Sequence, residues 1–220
     1  MTQQTNPSDV PVREPGTRAR SGNAMGRTRS ALLGATAECV ARYGIRKTTM
    51  VDVASKSGVA KATLYNHFRT KDDVLAAVVE QQVADLVGAC VTTASSSGLV
   101  EALVHIATVL GDNPALRKAA DGEQQLLAPL LTPTQGRGWQ LAREGVAAVL
   151  TAGGAPSGPA DVETLLRWCV SQVLWPLTRD EARSGADALV RGLSTRAVPV
   201  AAAAAVPAQQ VASGALGWPG

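Results

Sequence analysis

The segment Thr48-Thr49-Met50-Val51-Asp52-Val53-Ala54-Ser55-Lys56-Ser57-Gly58-Val59-Ala60-Lys61-Ala62-Thr63-Leu64-Tyr65-Asn66-His67-Phe68 constrains the fold of this chain more than any other. Thr49, with Asp52 three residues on, has the form of a helix N-cap, and Gly58 has the form of a helix stop. A second helix is therefore predicted between them, with Met50, Val53 and Ala54 turned inward, and a third from about Ala60 to Phe68. Neither is long enough to be stable alone, so another helix must cover their shared apolar side. Leu32/Leu33, Thr36, Cys39/Val40 and Tyr43, spaced by three and four, supply it as a first helix from about Arg27 that stops at Gly44. With Ala54, Val59, Leu64 and Phe68 facing inward, the third helix turns Lys61, Ala62, Thr63, Tyr65, Asn66 and His67 outward. Hydrogen-bonding groups around one small residue suit a helix laid in the major groove of DNA, where base edges offer donors, acceptors and a thymine methyl. Helix starts capped by Thr49 and Thr70 add backbone N–H groups able to hold phosphate.

Charge points the same way. Residues 1–71 hold 12 Lys/Arg and 4 Asp/Glu, a net +8, and residues 72–220 hold 9 and 14, a net −5, which sum to the chain's +3. A basic first third on an acidic remainder fits a chain that meets a polyanion at one end; a solvated basic tail is the plainer alternative.

The rest of the chain carries the punctuation of an all-α fold. Aromatic residues are 3% of the composition and hydrophobic residues 45%, so Leu, Val and Ala must build the interior, which favours helices. Residues 1–26 are predicted to be a disordered basic arm, either touching phosphate through Arg13, Arg18 and Arg20 or of no consequence. Residues 27–71 form the helix-turn-helix unit, 72–196 a helical bundle, and 197–220 a loose Ala/Pro-rich tail. Thr70 starts a fourth helix running to about Thr92, with Ser95 to Gly98 as a loop. Further helices are expected over Leu99 to Leu110, after Asn113-Pro114, over Glu123 to Leu131 and Thr134 to Thr151 with a break near Pro129 and Pro133, over Ala160 to Trp175, and after the Thr178–Glu181 capping box. No apolar run approaches the roughly 18 residues of a membrane span, and the N-terminus lacks a signal-peptide pattern, so a cytoplasmic protein is expected. Cys39, Cys90 and Cys169 lack paired spacing and are expected to be reduced thiols.

The run from Ser57 to Lys71, S-G-V-A-K-A-T-L-Y-N-H-F-R-T-K, followed by an apolar-periodic helix, closely resembles the tetracycline-repressor (TetR) family of bacterial regulators. The resemblance covers about Arg27 to Leu86; beyond it only length and the all-helical pattern agree. It implies an N-terminal three-helix DNA-binding domain followed by a C-terminal bundle that dimerises and binds a small effector. It also implies that Lys61, Ala62, Thr63 and Asn66 face bases or nearby sugar-phosphate, and that Thr49, Tyr65, His67 and Lys71 hold the DNA backbone. Val51 departs from the pattern, since many members have a basic residue there, and Arg46 or Lys47 would have to compensate. Tyr65 can alternatively serve the core, and His67 can cap its own helix.

The partners implied are a near-palindromic double-stranded operator, a second copy of the chain and an unidentified small molecule. A protein-interaction or architectural DNA-binding module without an effector is the alternative. Trp139, Trp168 and Trp175, with Gln172 between the last two, are candidate effector contacts, or else core and dimer contacts. No catalytic motif, metal-ligand spacing or cofactor-binding pattern is present, and His105 stands alone, so no enzyme, metal or cofactor is expected.

Overall fold

A computed structural model describes residues 16–132 and 136–196, and among them all regular structure is helical. The order is α1 (Gly16–Tyr43), α2 (Met50–Ser57), α3 (Lys61–His67), α4 (Lys71–Ser97), α5 (Leu99–Asp112), α6 (Pro114–Gly122), α7 (Gln124–Leu131), α8 (Arg137–Ala152), α9 (Pro159–Leu174) and α10 (Arg179–Arg196). The all-α reading, an N-terminal helix-turn-helix followed by a helical bundle, is what the molecule adopts.

Three features differ from expectation. Helix α1 begins at Gly16, so the last part of the arm expected over residues 1–26 is helical; residues 1–15 and the tail at 197–220 lie outside the described residues. Once α1 is nucleated by its packed half, each added residue costs little, and Arg, Ala and Met favour propagation. Helix α4 runs on through Ser95 to Ser97, where a loop is expected from the sequence. There Thr92, Thr93 and Ser95 return their hydroxyls to carbonyls four residues back, so these polar side chains join the helix. Helix α4 also reaches a mean hydropathy of 1.6 over an 18-residue window, long and apolar enough by length and composition to cross a membrane. Glu80, Gln81, Gln82 and Asp85 interrupt it, so it holds no unbroken apolar run of that length. In this structure the helix packs against α1, α5 and α8.

Two cores result. Around Leu64, completely buried, are Leu32, Leu33, Cys39, Met50, Val53, Ala54, Phe68, Val74, Ala77 and Val78. A larger core gathers Cys90, Leu99, Leu103, Val149, Leu150, Val162, Leu165, Leu166 and Ala186 from α4, α5, α8, α9 and α10. Helix α4 serves both, giving Val74 to Val78 to the first and Cys90 and Ala94 to the second. In a small third cluster, Ile45 of the α1–α2 loop and Leu116 and Ala120 of α6 pack against buried Ala119 of α6 and Val173 of α9.

Candidate nucleic-acid interface

The α2–α3 unit is built from local contacts that its sequence dictates. Thr49 caps α2: its hydroxyl accepts from the Asp52 N–H at 3.2 Å, and the Asp52 carboxylate accepts from the Thr49 N–H at 3.0 Å and from its hydroxyl at 2.6 Å. Helix α2 ends on Gly58, left-handed at φ 68°, a backbone that glycine enters without the steric cost a side chain imposes. Seven residues of α3 come next, with Leu64 as the buried anchor. A second capping box repeats at Thr70 and Asp73 to start α4.

Fixing Leu64 inward fixes what faces out. Lys61, Ala62, Tyr65 and Asn66 are exposed, and Thr63 and His67 are half-buried. The Lys61 ammonium lies 6.0 Å from the Tyr65 ring centre, an i to i+4 contact that keeps both on the outer face. Tyr65 is 42% exposed, so its ring belongs more to this surface than to the core. His67 stacks obliquely beside Phe68 at 6.2 Å, and Arg29 of α1 lies 5.6 Å from the Phe68 ring on the same part of the domain. The structure thus brings Lys61, Ala62, Thr63, Tyr65, Asn66 and His67 together on one short helix.

Thr49 and Lys71 stand apart from that group. The Thr49 hydroxyl is committed to its cap, and the Lys71 ammonium donates to the Ile45 carbonyl at 3.0 Å and the Arg46 carbonyl at 3.4 Å. A phosphate would compete with those bonds. Arg46 and Lys47 are exposed, and Val51 is 55% exposed. Lys56 is tied to Glu38 of α1 at 2.7 Å, and that hydrogen bond holds its ammonium above its ordinary pKa.

The matching pattern is that of bacterial regulatory proteins of the tetR family, which aligns with residues 32–78, the reader core and the first turns of α4. Residues 32–78 thus carry the tetR-family pattern. Curated relatives include an uncharacterized HTH-type transcriptional regulator of Mycobacterium tuberculosis, 27% identical over 134 residues, which are 59% of this chain and 70% of the relative. A counterpart in Mycobacterium bovis is 26% identical over the same shares. Among solved structures, the TetR family repressor AlkX from a Dietzia strain superposes with a TM-score of 0.60 at 18% identity, covering 76% of this chain and 95% of that one. A TetR-family regulator from Mesorhizobium loti gives 0.56 at 21%, covering 78% and 97%. At such identities the likeness is one of fold. The matched segment, the relatives and the shared fold together support a TetR-family transcriptional regulator with a DNA-binding helix-turn-helix.

Of the residues singled out in the bundle, Trp139, Trp168 and Gln172 are buried or half-buried and Trp175 stands apart. Trp139 and Trp168 pack, half-buried, against the large core, and Trp168 lies against Gly185 of α10. Gln172 is 1% exposed; its amide nitrogen donates to the Trp168 carbonyl and to the Ser171 hydroxyl, while its amide oxygen is buried with no partner. Trp175 does not join them. Helix α9 ends at Leu174, and Trp175, beyond it, is 73% exposed, so the helical spacing that aligned it with Gln172 stops one residue too early. His105 lines an open crevice of about 310 Å³ with Thr93, Glu101, Thr108 and Arg179. Burial pushes the Cys90 thiol up to about 11 and the Cys169 thiol up to about 12, which leaves both protonated and poor nucleophiles near neutral pH. Among the described residues, no three His, Cys, Asp or Glu side chains converge as a metal site.

Sequence reasoning missed two polar partners. The Glu123 carboxylate reaches back to the α1–α2 loop, 78 residues away in sequence, and Arg117 of α6 donates to the Val173 carbonyl of α9. Neither contact leaves a local pattern; only the break between α6 and α7 marks the place of Glu123.

Proposed function

We propose that this regulator acts in the cytoplasm as a homodimeric repressor that occupies a near-palindromic operator and leaves it when a small molecule enters its bundle. The supporting observation is the outward face of α3, held in place by the burial of Leu64 behind it. On this reading residues 27–71 are the reader, with the first turns of α4 completing its core, and residues 72–196 are the sensing and dimerising part. Lys61, Ala62, Thr63 and Asn66 reach base edges or adjacent sugar-phosphate, while Thr49, Tyr65, His67 and Lys71 hold the backbone. Two such readers about 34–36 Å apart engage successive major grooves on one side of the duplex.

Dimerisation through α9 and α10 is supported by the apolar surface near their turn, where Leu174, Trp175 and Leu177 are exposed. Effector binding is supported by the Gln172 amide oxygen and the Arg117 Nε, both buried without a partner. Leaving such a group unmet costs about 1–3 kcal/mol, so a ligand that pairs with it gains that much. A molecule with a donor for Gln172 would shift the population toward a reader spacing that fits DNA poorly.

The test is to replace Lys61 and Tyr65 by Ala and titrate each variant against the DNA upstream of the protein's own coding sequence. Lys61→Ala is expected to weaken binding and to lower the salt slope by about 1, with the melting transition unchanged. Unchanged affinity and slope in both variants would overturn the placement of the reader.

A further inference from the structure

The α1–α2 loop leads directly into the reader, and its peptide groups are held by charges from both sides. Glu123 sits between α6 and α7, where its own N–H closes α6 on the Ala119 carbonyl at 2.8 Å. One of its carboxylate oxygens accepts from the Ile45 N–H at 2.5 Å and the other from the Arg46 N–H at 2.8 Å. The carbonyls of the same two residues accept from the Lys71 ammonium at the first turn of α4. Gly44 makes room for this arrangement. Its φ is 86°, and a Cβ there would stand 2.8 Å from the Glu123 carboxylate oxygen. Below the polar contacts, the Ile45 side chain packs against Ala119 and Val173, so the loop is anchored to the bundle by an apolar side chain and a carboxylate together.

The residues just past the loop carry this anchorage into the reader. Thr48 is 1% exposed and bonded to the Gly44 carbonyl through both its N–H and its hydroxyl, and Thr49 opens α2. From Gly44 to the first turn of α2 there is thus little slack, and the direction in which α2 leaves the loop is set by where residues 45 and 46 are held. A carboxylate suits this position because it can take two N–H bonds at once; a neutral amide has one oxygen to offer and turns an NH2 group toward the second N–H. Glu123 lies on the bundle side of the loop and touches none of the residues of the outward face of α3.

We propose that Glu123 is a positioning residue for DNA recognition: its carboxylate, bound to the Ile45 and Arg46 amides, sets the pose of the reader relative to the bundle. This rests on the DNA-binding reading above. It makes the α6–α7 junction a place, beside the shared helix α4, where the bundle holds the reader, with Ile45 as its apolar part.

The test uses full-length Glu123→Gln beside the unaltered chain, with three measurements. Hydrogen exchange measured by mass spectrometry on the peptide spanning residues 44–49 is expected to speed up about tenfold or more in the variant, since hydrogen bonds to a charged group are among the stronger ones. Binding to the fragment upstream of its own coding sequence is expected to weaken about fivefold or more relative to a scrambled fragment of equal length. The salt slope is expected to stay the same, because no phosphate contact is lost. Circular dichroism melting shows whether the variant is folded at the assay temperature. If it is not, Glu123→Asp, which keeps the charge one methylene short, takes its place with the same expectations.

Unchanged exchange at 44–49 would overturn the proposal, and so would faster exchange with an unchanged ratio of specific to scrambled binding, which is the mark of a purely structural bond. A rise in affinity for both fragments alike would also overturn it, as the signature of mere removal of a negative charge. If the unaltered chain itself showed no preference between fragments, the DNA-binding reading would fall, and exchange at 44–49 would still decide whether Glu123 holds the loop.

Discussion

The reader and the bundle keep their shapes by different means. Around Leu64 the core is small, and the capping contacts that frame it are local, Thr49 with Asp52 and Thr70 with Asp73. Around Leu103 and Leu165 the core is larger, and ion pairs bridge its helices, Glu101 to Arg183 across α5 and α10, 82 residues apart, and Arg143 to Glu163 across the consecutive α8 and α9. A surface that must match DNA to within a hydrogen-bond length needs rigid local framing, because each side chain's position is read directly. A bundle that has to stay folded needs a filled interior, and many side-chain combinations fill one.

The sharpest way to break this comparison is to open a cavity in each core. Leu64→Ala and Leu103→Ala each remove a side chain that is 0% exposed, at a cost of about 2–5 kcal/mol. In the small core that loss is a large share of what holds α3, so Leu64→Ala is expected to abolish DNA binding and to raise hydrogen exchange across α1–α3 while the bundle stays protected. Leu103→Ala should raise exchange in α4, α5 and α8 first. Equal loss of protection throughout the chain in both variants would show that reader and bundle unfold as one unit.

Smaller effects are expected at the caps. Thr49→Ala and Thr70→Ala each leave N–H groups at a helix start without an acceptor, at about 1 kcal/mol. The denaturation midpoint should fall at unchanged slope, with exchange rising in α2 and at the start of α4. Thr178→Ala removes the equivalent cap of α10 and should act on the bundle alone. A Thr49→Ala chain that lost stability but kept its full operator affinity would separate capping from DNA contact at that residue.

These same local patterns are why the reader is legible in the sequence. A cap needs two residues three apart, a stop needs one glycine, and the buried face of a helix repeats every three or four residues; Thr49, Gly58, Leu64 and Thr70 are recognisable from such intervals. Asn113-Pro114 and Thr178–Glu181 are readable in the bundle for the same reason. What escapes depends on geometry between distant segments. The serines at 95–97 look like loop until the hydroxyls of Ser95 and Ser96 find carbonyls one turn back; Trp175 looks aligned with Gln172 until α9 ends at Leu174; and Glu123 has nothing near it in sequence to announce Ile45. The candidate DNA surface is therefore foreseeable residue by residue, while the bundle contacts are foreseeable only as apolar stripes.

The gentlest test uses pH, which is expected to loosen the two regions from opposite ends of the scale. In the bundle, hydrogen bonds from Arg183 hold the Glu101 carboxyl below its ordinary value of 4.5, and the Thr178 hydroxyl does the same for Glu181. An unfolded chain takes up those protons first, so this stability is complete above 4.5 and is lost as pH falls through the depressed values. In the reader, the Glu38 carboxylate holds the Lys56 ammonium above its ordinary 10.5; that contribution is complete below 10.5 and is lost as pH rises through the raised value. Lys56 and Glu181 are exposed and Glu101 is half-buried, so the changes are small and screened by salt. Hydrogen exchange, corrected for its intrinsic pH dependence, should show α5 and α10 loosening first on acidification and α1 and α2 first on alkalinisation. Arg183→Gln should flatten the acid response and leave the alkaline one, and Lys56→Gln should do the reverse. If either substitution altered both limbs, the reader and the bundle would share one electrostatic network, and the separation drawn between them would fail at the level of charge.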